Sequence, residues 1–198
     1  MSPLLFGAAV IAGSFLLGSI PFGFVIARIF YRTDIRKSGS GNIGAMNALR
    51  TIGKGGALAV LLLDAGKGFL PVFLLLHAPR LAAACGIAVV LGHCFSPWLR
   101  WKGGKGVATS FGVIGAFSWP ALLVVLVCYV LGAFAISKYS SVGSMLSNAV
   151  SPIALYLFTH EPTFAAYGVF AALFIVWTHR ENIERLRAGT EGPLKLFR

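Results

Sequence analysis

Three polar islands interrupt an otherwise apolar chain, and their residue types suit the binding of anions, phosphates in particular. The first runs Gly39-Ser40-Gly41-Asn42-Ile43-Gly44 and continues through Asn47 to Arg50. Closely spaced glycines permit backbone conformations in which successive N–H groups converge on an anion, and Ser40 and Asn42 add side-chain donors. Glycine content alone fits a flexible loop equally well. The spacing also matches the GxGxxG dinucleotide fingerprint, with Asp64 where the acidic partner would fall. That fingerprint needs a preceding strand and a βαβ unit, whereas helix-length apolar segments flank these glycines, so the match is a coincidence of spacing.

The second island, Lys102-Gly103-Gly104-Lys105-Gly106-Val107-Ala108-Thr109, leads directly into an apolar run. Two lysines around two glycines at a helix start place ammonium groups and helix N-terminal amides about an anion. The island lacks the GK[ST] ending of a nucleotide P-loop, and no strand leads into it, which argues against nucleotide hydrolysis. Membrane anchoring accounts for Arg100 and Lys102 but gives no reason for three glycines.

The third island is His179-Arg180-Glu181-Asn182-Ile183, followed by Arg185. His179 and Asn182 are three apart and share a face on a helix. Taken alone, a helix-terminal histidine serves as readily as a C-cap. Asp64 and Lys67 have the same spacing amid Leu61-Leu62-Leu63 and Phe69-Leu70, where unpaired charges are costly. They are expected to form a structural ion pair or to line a polar cavity, with proton relay as the alternative.

Other chemistries are excluded by what is missing. Ser40, His179 and Asp64 can be written down as a triad, but triads are defined by geometry, and no GxSxG elbow supports one. With no HExxH, no HxxxxD pair and no carboxylate cluster, neither a metal nor a cofactor is expected. Cys85, Cys94 and Cys128 lie scattered in apolar segments without CxxC spacing and are expected to act as small buried hydrophobes.

The elements that must position these islands are membrane helices. The chain is 57% hydrophobic and only 12% charged, with a mean hydropathy of +0.82, which places it among polytopic all-α membrane proteins. Crossing about 30 Å of hydrocarbon takes roughly 20 helical residues, and a lipid-exposed backbone must satisfy its own hydrogen bonds. Spanning segments are predicted at Leu4–Phe30, Gly56–His77, Leu81–Phe95, Val107–Phe117, Ala121–Ile136, Val142–Phe158 and Phe164–Thr178. The first is too long for a cleavable signal, and Met1-Ser2-Pro3 lacks a basic region.

The net charge of +11 does not indicate nucleic acid, because the basic residues sit in short loops between apolar segments. Cytoplasmic loops collect Lys and Arg. If the breaks at Ala78-Pro79-Arg80 and Ser118-Trp119-Pro120 are outer turns, all 17 Lys and Arg except Arg80 and Lys67 share one side, Lys195 and Arg198 included. This predicts an outer N-terminus, a cytoplasmic C-terminus and all three islands on the cytoplasmic face. Val107–Phe117 then covers only about 16 Å. No internal repeat is evident, and residues 1–198 are expected to form one membrane domain.

At these islands the sequence resembles the bacterial integral-membrane acyl-phosphate:glycerol-3-phosphate acyltransferases. Gly39 to Ala45 with Asn47 and Arg50 looks like that family's first motif, Lys102 to Thr109 like its second, and His179 to Ile183 like its third. Leu63-Asp64-Ala65-Gly66-Lys67-Gly68 also fits. Met46 departs from the family's usual threonine, and a thioether cannot donate a hydroxyl's hydrogen bond.

The resemblance implies transfer of a fatty acyl group from acyl phosphate to the sn-1 hydroxyl of glycerol 3-phosphate, at the cytoplasmic side of a bacterial inner membrane. It implies catalytic roles for Ser40, Lys105, His179 and Asn182. Substrate contacts would come from Gly39, Gly41, Asn42, Asn47, Arg50, Gly103, Gly104 and Thr109, the Gly103 and Gly104 amides holding the acyl phosphate, with support from Asp64, Lys67 and Glu181. The alternative is a transporter of phosphorylated anions, which predicts polar residues spread through the membrane depth.

Overall fold

The computed structural model describes residues 2–194, so the tail cations Lys195 and Arg198 lie outside the described residues. Each predicted apolar segment is helical over most of its length, the Gly56–His77 segment leaving helix after Phe73, and no strand occurs among the described residues. The helices are α1 (Pro3–Ser19), α2 (Phe22–Phe30), α3 (Ala45–Phe73), α4 (Pro79–Cys94), α5 (Val107–Phe117), α6 (Trp119–Val130), α7 (Ser140–Thr159), α8 (Pro162–Thr178) and α9 (Arg180–Arg187). Five stretches are long and apolar enough to cross a membrane: Pro3–Phe30, Ala45–Phe73, Pro79–Leu99, Trp119–Ile136 and Ser140–Thr159. A sixth forms if α8 and α9, bent by 55°, count together.

Two boundaries differ from expectation. The first segment is two helices, broken at Ile20-Pro21, because proline supplies no N–H and disfavours helical geometry in the residue before it. The third helix starts at Ala45 instead of Gly56 and runs 29 residues. Its first two turns are too polar to register as a span, and Gly53 at φ +79° interrupts its helical geometry between the polar and apolar parts. The turns before Pro79 and at Ser118 stand as expected; Ser118 caps α6 by accepting from the Ala121 amide at 3.3 Å.

The chain forms two compact units, Met1–Ala116 and Phe117–Arg198. Within the first, helices approach backbone to backbone at glycines. A Cβ on Gly18 would overlap the Val89 carbonyl and one on Gly92 that of Phe15, which joins α1 to α4. Gly68 against Thr109 and Gly112 against Ala65 join α3 to α5 in the same way. Small residues are the usual means of bringing membrane helices close, since lipid provides no hydrophobic drive for their association.

Within the second unit, α6 continues as a π-helical stretch, Leu131–Ile136. Gly132 there packs on Gly143 of α7, and Gly168 of α8 packs on Pro152. Several buried polar residues of α7 bond within their own helix: Ser144 Oγ donates to Ser140 O (2.8 Å) and Ser151 Oγ to Asn148 O (2.7 Å).

Candidate active site

The first island is the loop from α2 into α3, and Asn47 holds it together. This side chain is 1% exposed. Its Oδ1 accepts from the Ser40 amide at 2.8 Å, and its Nδ2 faces three carbonyls: Asn42 at 2.7 Å, Ile35 at 2.9 Å and Ser38 at 3.1 Å. The structure thus gives Asn47 a bracing role in place of the expected substrate contact: its Nδ2 hydrogens are spent on loop carbonyls, and its buried Oδ1 faces the Ser40 amide.

Gly39 (φ +61°) and Gly41 (φ +71°) occupy left-handed geometry that side chains disfavour. Gly39 also lies so close to Asn47 Oδ1 that a Cβ would overlap it. Asn42 Oδ1 accepts from the Gly44 amide at 2.9 Å, closing the turn into α3. At the loop's start Arg36 pairs with Asp34 through both carboxylate oxygens, at 2.9 and 2.8 Å, and those bonds hold Asp34 down to about 2. The result is a braced loop with Ser40 on its exposed surface, followed by Arg50, exposed in the second turn of α3.

The second island connects the end of α4 to α5. Here the structure overturns another expectation. The Gly103 amide donates to Cys94 O (2.9 Å) and the Gly104 amide to His93 O (3.0 Å), so neither is directed at an anion. They instead satisfy the last carbonyls of α4, which lack intrahelical donors. The amides available to an anion are those of the first turn of α5, which follows Gly106 at φ +82°. Thr109, in that turn, is fully buried, and its Oγ1 has no hydrogen-bond partner among the described residues.

Asp64 and Lys67 pair as expected, with Oδ1 and Nζ 2.7 Å apart and both side chains 2% exposed. Lys67 Nζ also donates to Ile20 O (2.8 Å), a carbonyl turned out of the helical ladder by the Pro21 break. A third member was not foreseen. His93 of α4 is 4% exposed, and its Nδ1 lies 3.5 Å from Asp64 Oδ1. A lone histidine in the apolar run ten residues before the paired glycines was the available signal.

The third island lies in the second unit. His179 ends α8, and its Nδ1 is 2.8 Å from Ile175 O. A carbonyl only accepts, so Nδ1 carries a proton, and in the neutral ring Nε2 is the basic nitrogen. Asn182, 7% exposed, donates from Nδ2 to Glu191 Oε1 at 2.6 Å. Glu191 also accepts from Ser141 Oγ (3.1 Å) and Arg185 Nε (2.8 Å). Burial raises its pKa, but the bonds from Arg185, Asn182 and Ser141 outweigh that and hold it below the ordinary glutamate value. The carboxylate that bonds Asn182 is thus Glu191, whereas Glu181, expected to be a supporting residue, is exposed in the first turn of α9. Sequence spacing gives no hint of this, because a turn after α9 brings Glu191 back.

Among the described residues no group of three His, Cys, Asp or Glu is arranged to hold a metal ion.

Comparison with known proteins identifies the family. The family model described as glycerol-3-phosphate acyltransferase matches residues 8–189. A glycerol-3-phosphate acyltransferase of Mesorhizobium japonicum is 46% identical over 181 residues, covering 91% of this chain and 92% of the relative. One of Methylorubrum extorquens is 46% identical over 196 residues, covering 97% and 94%. The fold is similar to crystal structures of PlsY (YgiH), an integral membrane glycerol 3-phosphate acyltransferase. Its glycerol 3-phosphate form has a TM-score of 0.89 at 34% identity, with 96% of each chain covered. Its lysophosphatidic acid form has a TM-score of 0.87 at 33% identity, covering 96% of this chain and 95% of that one. With a family match over nearly its whole length and relatives this similar, the chain belongs to the glycerol-3-phosphate acyltransferase family.

Proposed function

We propose that this protein transfers a fatty acyl group from acyl phosphate to the sn-1 hydroxyl of glycerol 3-phosphate, releasing 1-acylglycerol 3-phosphate and inorganic phosphate. It does so as one membrane domain of seven spanning segments, at the cytoplasmic face of a bacterial inner membrane. Family membership supports the acylation of glycerol 3-phosphate; the acyl-phosphate donor, the sn-1 position and the orientation come from the motif resemblance and the charge distribution. No metal or cofactor is called for, because a mixed anhydride is already an activated acyl donor.

The hydroxyl oxygen of glycerol 3-phosphate bonds to the acyl carbon, and the anhydride bond from that carbon to the phosphate oxygen breaks. Lys105 and the first-turn amides of α5 stabilise the negative charge that grows on the departing phosphate. Arg50, exposed in the second turn of α3, clamps the glycerol 3-phosphate anion with its planar donor fork. Asn182 orients the attacking hydroxyl, and its proton goes to His179 Nε2 or to an oxygen of the acyl phosphate itself.

What supports direct transfer is the donor together with Ser40: a mixed anhydride needs no covalent activation, and among the described residues of the unit Met1–Ala116 no base is hydrogen-bonded to the exposed Ser40 hydroxyl. Ser40 then serves as a donor to the acyl phosphate. The test is an assay of purified protein with palmitoyl phosphate and glycerol 3-phosphate, beside acyl-CoA and acyl-carrier-protein donors. Product is expected only with the phosphate donor, and product only with a thioester would refute the donor. Mass spectrometry after mixing with acyl phosphate alone is expected to show no acylated protein; an acyl-enzyme would refute direct transfer.

A further inference from the structure

Gly103 and Gly104 of the second island are not needed for backbone conformation. Neither Gly103 nor Gly104 has a positive φ, unlike Gly106 just after them. Nor do they present amides to an anion, since both amides cap the end of α4. What forbids a side chain is His93. A Cβ on Gly103 would overlap the His93 carbonyl oxygen, and one on Gly104 would overlap Nε2 of its ring. The imidazole is the surface on which this loop lies.

That surface adjoins a buried polar row. His93 Nδ1 faces Asp64 Oδ1 at 3.5 Å, Asp64 faces Lys67 Nζ at 2.7 Å, and Lys67 donates to Ile20 O at 2.8 Å. All three side chains are 4% exposed or less. A buried ion pair adds little net stability, since desolvation offsets most of its attraction; fixing a neighbour in place is a use better suited to it. The same stretch of α3 packs on α5 at Gly68 and Thr109. The row therefore ties both ends of the Lys105 segment, the turn before it and the helix after it, to one helix.

We propose that His93, oriented by Asp64, is a positioning residue for acyl transfer, fixing the backbone that presents Lys105 and the first turn of α5 to a substrate phosphate. The proposal rests on the anion-binding role given to that segment above. His93 touches no reacting atom; it acts through Gly104.

The test is a double-mutant cycle of His93→Ala and Gly104→Ala, read as kcat and KM for each substrate, with melting temperature measured in parallel. Gly104→Ala alone drives a methyl into the ring and is expected to lower kcat/KM by at least about tenfold, as expected of a small displacement of a binding segment. In the His93→Ala background the methyl enters the space the ring has left, and adding Gly104→Ala is expected to cost less than about threefold. Equal costs in both backgrounds, within about twofold, would overturn the proposal. So would a fall in melting temperature with unchanged kinetic constants, the mark of a merely structural role. His93→Asn, short enough to clear Gly104, replaces His93→Ala if the latter does not fold. If the wild-type protein transfers from no donor, the function above fails; the same cycle is then read on palmitoyl phosphate binding by calorimetry, which tests the positioning role separately.

Discussion

Asn47→Asp changes one nitrogen to oxygen at a site where shape is preserved and hydrogen bonding is inverted. The native amide is assigned unambiguously, because its oxygen meets the Ser40 N–H while its nitrogen meets three carbonyls between 2.7 and 3.1 Å. An ionised carboxylate keeps the Ser40 contact but sets a buried charge against three acceptors. The less costly state is the neutral acid, which donates one of the two hydrogens Asn47 supplied. Taking up that proton at pH 7 costs about 4 kcal/mol for a group ordinarily titrating near 3.9, and the missing bond costs about 1 kcal/mol more. A loop held by these bonds opens locally before the helices unfold. The competent loop should then fall below about 1% occupancy, lowering kcat/KM by at least about a hundredfold. Because the competent state carries the extra proton, Asn47→Asp activity relative to wild type should rise about tenfold for each unit of pH lowered between 8 and 6. Asn47→Ala relative to wild type should be flat over that range. The assay is initial rate with palmitoyl phosphate and glycerol 3-phosphate in detergent. Activity of Asn47→Asp within about threefold of wild type at pH 7.5, or a ratio that does not move with pH, would refute the scaffolding role of Asn47.

Arg50→Lys keeps the charge but loses the fork, so KM for glycerol 3-phosphate should rise about tenfold with little change in kcat; an unchanged KM would remove Arg50 from that phosphate. Glu191 is held below the ordinary glutamate value, so its ionised form contributes stability that is present above pH ~4.3 and lost as pH falls through its lower folded value. Glu191→Gln should therefore melt lower than wild type at neutral pH, with the two curves converging in acid; parallel curves would show that the charge contributes nothing. Gly68→Ala places a methyl against the Thr109 backbone, which has no flexible end to yield, and should destabilise the fold by about 1–3 kcal/mol. A wild-type melting temperature for that variant would contradict the close packing of α3 on α5.

The helices were legible because hydropathy and the need for internal hydrogen bonding leave an apolar chain few choices. The Ile20-Pro21 break escaped because apolar residues continue on both sides of it, and hydropathy cannot register a missing N–H. It matters to the site, since the break turns out the carbonyl that Lys67 engages. The first turns of α3 were missed for the opposite reason: they are helical yet polar, and their amphipathic pattern is divided by Gly53. Glu191 was illegible on any local rule, because its partners Asn182, Arg185 and Ser141 are gathered by a turn and a second helix.

Glycine is where legibility fails most instructively, since the letter records a missing side chain without saying why it is missing. Gly39, Gly41 and Gly106 answer a conformational demand, each with φ between +61° and +82°. Gly103 and Gly104 answer a steric one: His93 occupies the space a Cβ would need. An anion nest and a close approach therefore look the same in the sequence, and the hydrogen bonds tell against a nest at several of these glycines: the Gly41 amide donates to Ser38, that of Gly103 to Cys94 and that of Gly104 to His93. It follows that substitutions at the two kinds of glycine should respond differently to their surroundings. Alanine at Gly39 or Gly41 carries its left-handed strain whatever its neighbours, whereas alanine at Gly104 should be tolerated once the imidazole beneath it is removed.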